Sequence, residues 1–258
     1  MKPIARIAYA FLYLAGSRRR LEAAPPERFA RAAAPLVLLA MAWGLALVGV
    51  WDLAYHLTWA RRLDWVVPAV LCGAAIVFGP FRPAAAALLG TVLPNRWWLT
   101  WPAHAALAVL VALMINNAVR FWDPDWSTRL SPAWQWLWPR ALYRAILLMP
   151  LWGLWGMLAT GQFHRPGRRT DAPTRRLAET TGPLTAAMTL ALPLAGSFIY
   201  LTFLWPPMRF VPPAAAILAA LGGGTAICRL KGGLCREALL ATNLLTQLAF
   251  LGAHMAVR

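Results

Sequence analysis

The chain has 258 residues, 60% of them hydrophobic and 13% charged, with 25 Lys and Arg against nine Asp and Glu. Soluble domains are about 45–50% apolar and about 25% charged, so a water-soluble globule is excluded, and so is a disordered chain. The formal charge of +16 is spread as punctuation between long apolar runs instead of along one solvated face, which argues for a polytopic membrane protein and against a nucleic-acid reader.

The first 21 residues imitate a signal peptide, with Lys2 and Arg6 ahead of an apolar stretch at 7–15 and Arg18, Arg19 and Arg20 after it. We expect this stretch to be retained as a short helix in the headgroup layer, making residues 1–31 an interfacial basic segment and 32–258 one transmembrane domain. A crossing helix needs about 20 mostly apolar residues. Runs of that kind occupy 32–55, 63–81, 101–119, 141–161, 183–205, 211–228 and 238–257. The predicted fold class is therefore all-α, a bundle of about seven transmembrane helices. Residues 84–94, set off by Pro80 and Pro83, are too short to cross alone and read as a kinked extension, a re-entrant arm or an interfacial piece.

Lys and Arg counts in alternating connections give 17 on the side of the N-terminus and eight on the other, which predicts a cytoplasmic N-terminus. The connection at 164–182, with Arg165, Arg168, Arg169, Arg175 and Arg176, carries much of this bias. It reads as a solvated positive-inside loop, or as a binding surface for anionic lipid headgroups or an acidic partner. The Arg, Ala and Leu bias is associated with GC-rich bacterial genomes, so a bacterial inner membrane is expected. Trp122, Trp126, Trp134, Trp136 and Trp138 form an aromatic cap on the opposite side or a docking surface for another subunit.

Ionisable and polar groups inside spans are costly, which makes each one a candidate. Asp52 and His56 share a face of the first span, and Arg144 enters the fourth at the depth of Asp52, so a charge pair is allowed. Asn243, Gln247 and His254 return to nearly the same angle of the last span and form a hydrogen-bonding stripe, for which Asn116 and Asn117 are candidate recipients. A haem between His56 and His254 is disfavoured, because the partners that would fix the imidazoles are not apparent. Cys72, Cys228 and Cys235 are an odd set without metal-type spacing, and no cofactor or metal is expected.

The connection before the last span reads Arg229, Leu230, Lys231, Gly232, Gly233, Leu234, Cys235, Arg236, Glu237, and ALLATNLLTQLAFL follows. With the earlier segment WPRALYRAILL, it resembles the C-terminal part of the adenosylcobinamide-GDP ribazoletransferase (cobalamin-5-phosphate synthase) family, over residues 134–258 at most. That family carries a Gly-Gly-x-Thr-Gly-Asp loop and an acidic metal-holding signature. Here Cys235, Arg236 and Glu237 stand where the resemblance would put Thr-Gly-Asp, and the dipeptide Asp-Gly is absent. The resemblance thus implies a scaffold that has lost the family's chemistry. Arg229, Lys231 and Arg236 beside Gly232 and Gly233 suit a phosphate or lipid headgroup, or form a tight positive-inside turn. The expected function is a non-catalytic membrane subunit that anchors a larger complex through lipid and protein partners. A ribazoletransferase-like enzyme and a transporter or redox subunit are the alternatives.

Overall fold

The computed structural model describes residues 3–16, 20–21, 24–29, 32–57, 66–93, 100–119, 141–166, 170–201 and 206–257. The helices are α1 (Pro3–Ala15), α2 (Ala33–Leu57), α3 (Val66–Phe78), α4 (Arg82–Val92), α5 (Thr100–Val119), α6 (Ala141–Phe163), α7 (Ala172–Thr180), α8 (Pro183–Tyr200), α9 (Val211–Leu218), α10 (Gly224–Leu230) and α11 (Arg236–Ala256). A π-helical turn, Ala219–Gly223, joins α9 to α10 without a break. Among the described residues, six spans are long and apolar enough to cross a bilayer, with α9 to α10 counted as one, and the number is seven if the bent pair α3–α4 is counted as one span. The chain is a polytopic helical bundle, and its spans follow the apolar runs of the sequence.

The break between α3 and α4 has a local cause. Pro80 has no N–H to continue the ladder, and Pro83 favours a fresh helical start, so the two helices meet at 77°. Ala84, Ala85 and Ala87 are buried, and these small side chains let the short α4 lie close against α11.

The bundle is centred on α6, whose span is 89% buried, whereas that of α8 is 11% buried and packs mainly on α6. Lipid tails are as apolar as leucine, so close backbone approach has to supply much of the cohesion between spans, and glycines permit it. A methyl group on Gly153 would strike the Gln247 side chain and the Asn243 carbonyl, one on Gly156 would strike Thr246, and one on Gly224 would strike Thr160. The same device joins α2 to α6 at Gly44 and α3 to α5 at Gly73. Trp152 Nε1 donates to Ser197 Oγ at 3.0 Å and ties α8 to the centre.

The loop at 164–182 departs from a simple solvated connection. It contains α7, started by Asp171, whose carboxylate accepts from Thr174 N at 3.1 Å. The sequence signal is an acid followed by Ala-Pro, an N-cap with proline in the first turn. The tryptophan cluster from Trp122 to Trp138 lies outside the described residues.

Gly156→Ala is expected to destabilise the protein by about 1–3 kcal/mol through overpacking against Thr246. Gly49→Ala, where a methyl meets nothing within 4 Å, should stabilise α2 by about 0.5–1 kcal/mol. Thermal unfolding of both variants in one detergent checks the opposite signs.

Candidate functional site

The connection between α10 and α11, with the first residue of α11, gathers several long-range polar contacts. Its glycines serve the turn: Gly233 N donates to Cys228 O at 2.8 Å and Gly232 N to Arg229 O at 3.1 Å, with Gly232 at φ +75°. This nested pair of bonds closes the C-terminus of α10 with the left-handed residue where glycine is favoured.

The cations of the loop turn to the ends of other helices. Lys231 Nζ donates to Gly90 O in the last turn of α4 at 3.1 Å. The Arg236 guanidinium donates from Nε to Tyr13 O and from Nη2 to Gly16 O, both at 2.8 Å, at the C-terminus of α1. Helix C-termini expose carbonyls without partners and carry partial negative charge, so a cation satisfies both needs.

Asp171 does the converse. One carboxylate oxygen accepts from the amide and hydroxyl of Thr174 and caps α7; the other accepts from Arg236 N, the first amide of α11, at 3.3 Å. Because the Thr174 proton goes to the carboxylate at 2.8 Å, the Thr174 hydroxyl accepts from Tyr13 OH, also at 2.8 Å. Burial and then the neighbouring Asp171 charge push the Tyr13 phenol well above its usual range, so Tyr13 stays a neutral donor. Thr170 Oγ1 donates to Leu234 O, and Leu234 pairs with Pro166 in an isolated bridge. Cys235 Sγ accepts from Ala238 N at 3.4 Å and caps α11 in the position a hydroxyl or carboxylate would usually fill.

Of the proposed basic loop, then, Arg236 and Lys231 hold helix ends, Gly232 and Gly233 shape the turn, and Arg229 lies on its exposed side. Asp171, Thr170, Thr174 and Tyr13 complete the cluster and were not among the residues singled out from sequence. Only the Asp-Ala-Pro capping signal could have pointed to them.

The stripe on α11 faces the glycines of α6. Gln247 Nε2 donates to Asn243 Oδ1 on its own helix. Both amides line a cavity of about 40 Å³ whose remaining walls are apolar, among them Trp43, Phe81, Ala84 and Pro150. Gln247 Oε1 is buried there without a hydrogen-bond partner. Of the suggested recipients, Asn117 bonds back to Leu113 O at 2.8 Å, and Asn116 Oδ1 has no hydrogen-bond partner.

No family model, curated protein or solved structure matches the chain.

At the other end of the bundle, Tyr143 OH donates to Asp52 Oδ1 at 3.4 Å, and the next residue, Arg144, donates from Nη1 to Tyr200 O at 3.3 Å. Asp52 and Arg144 thus come to neighbouring positions on α2 and α6, with Tyr143 bonded to the carboxylate. His254 is buried and stacks on Phe250 at 6.5 Å between ring centroids. The side chain of His56 lies outside the described residues, so no His56–His254 geometry bears on haem. Among the described residues, no group of three His, Cys, Asp or Glu side chains converges as a metal site.

Arg236→Gln is expected to release the C-terminus of α1 and cost about 1.5–3 kcal/mol, the usual contribution of a hydrogen bond to a charged group. Arg236→Lys should recover only part of it, since one ammonium does not reproduce the two-pronged contact. Hydrogen exchange across α1 reads both.

Burial raises the Cys235 thiol pKa, so its reactive thiolate appears at higher pH than in an exposed cysteine. In a Cys72→Ala, Cys228→Ala background, alkylation of Cys235 should therefore have its midpoint above the free-thiol value of about 8.5, and denaturation should return it there.

Proposed function

We propose that the protein is a non-catalytic integral membrane subunit that anchors or scaffolds a larger assembly, with its N-terminus and the α10–α11 connection on the cytoplasmic side of a bacterial inner membrane. The observation that carries this reading is the use made of charge where α1, α4, α7 and the α10–α11 connection meet. Lys231, Arg236 and Asp171 are engaged with helix ends, an arrangement that fixes shape. Elsewhere on the same face, Glu179 sits 3.4 Å from Arg176 in a surface pair.

Two further features favour a supporting role. The face is stiff, because α1, α4, α7 and α11 are bonded to one another there, and a stiff basic face suits anionic headgroups or an acidic partner, with Arg229 available at its edge. On the membrane side, α8 presents Leu184, Met188, Leu192, Phe198 and Ile199 outward, an apolar strip for lipid or for a span of another subunit.

Native gel electrophoresis of mildly solubilised membranes tests the reading. The chain should migrate in a discrete complex well above its own 28.4 kDa, with a partner in fixed stoichiometry. A monodisperse single subunit retained under every mild detergent would refute it.

A further inference from the structure

A second polar site lies away from the loop, at the break between α3 and α4. There Phe78, Arg82, Thr100, Trp101 and His104 enclose a pocket of about 30 Å³. His104 is only 8% exposed, and its Nε2 is buried without a hydrogen-bond partner. Its other nitrogen, Nδ1, lies 2.6 Å from Thr100 O. A carbonyl can only accept, so Nδ1 carries a proton and Nε2 is the atom left to meet a ligand.

The surroundings favour an anion. The Arg82 guanidinium lies 5.6 Å from the centre of the Trp101 ring, held by cation–π attraction, while Arg82 itself remains exposed. Trp101 stacks on Phe78 at 6.1 Å, and Phe78 is 6.2 Å from the His104 ring. The pocket also opens at the first turn of the 20-residue α5, where the helix dipole is positive. An exposed tryptophan beside an arginine at the end of an apolar span is the signature of the membrane interface, the level at which lipid phosphates lie.

We propose that Arg82 and His104 form a phosphate-binding site at the α3–α4 break. Arg82 supplies charge and paired N–H donors. His104 Nε2 accepts from the O–H of a phosphate monoester or, as imidazolium, donates to a diester oxygen. Phe78 and Trp101 give an apolar wall along which an acyl chain can run. The break itself builds the site, because a continuous α3–α4 helix would not bring Arg82 over Trp101 at the start of α5.

The test uses the full chain in detergent and two probes, dioleoyl phosphatidylglycerol followed by native mass spectrometry and inorganic phosphate followed by calorimetry. Arg82→Gln and His104→Asn should each weaken binding roughly ten- to hundredfold, the loss expected for one charge-assisted hydrogen bond. Arg6→Gln, an exposed cation on α1, should leave it unchanged. Loss confined to the lipid probe identifies a headgroup site, and loss with inorganic phosphate identifies a site for soluble phosphate. If His104→Asn does not fold, the exposed Arg82→Gln decides. Wild-type binding of both probes by folded Arg82→Gln, or an equal loss with Arg6→Gln, overturns the proposal.

Discussion

A helix that ends at the edge of a membrane leaves four amides and four carbonyls without partners, in a medium where each is expensive to leave unsatisfied. This protein answers that constraint for four helices within one small cluster. Arg236 takes the carbonyl end of α1, Lys231 that of α4, and Asp171 the amide ends of both α7 and α11. Each charge is matched to the sign of the terminus it meets. The two short helices, α1 and α4, are not long enough to anchor themselves by crossing a bilayer, and their placement depends on these contacts.

The rest of the packing follows from the central α6. Glycines at 153 and 156 let α11 approach until the Gln247 side chain and the Asn243 backbone carbonyl lie against α6, and the residual space becomes a small cavity under α4. The π-turn at Ala219–Gly223 joins the same seam, since Thr160 of α6 donates to Ala220 O at 3.1 Å.

Much of this was legible in the sequence because apolar length is a direct physical signal. The spans predicted at 32–55, 101–119, 141–161 and 238–257 differ from α2, α5, α6 and α11 by at most two residues at either end. The split at Pro80 and Pro83 was also readable, since proline acts locally. The polar cluster was not. Arg236 and Tyr13 are 223 residues apart, and no local pattern announces that a guanidinium in a basic loop will meet one particular helix end. Basic loops look alike whether their cations face lipid, solvent or a carbonyl. For the same reason α11 was readable as a polar stripe, whereas the bond that Asn117 makes back to Leu113 O in its own helix was not.

The bond between the first helix and the last also orders events in time. Synthesis proceeds at about 5–20 residues per second, so the 223 residues between Tyr13 and Arg236 separate the appearance of α1 from that of its guanidinium by roughly 10–45 s. Throughout that interval the carbonyls of Tyr13 and Gly16 must be satisfied by water or headgroups. α1 therefore precedes α11 in synthesis, and its C-terminus reaches these contacts only once Arg236 has been made.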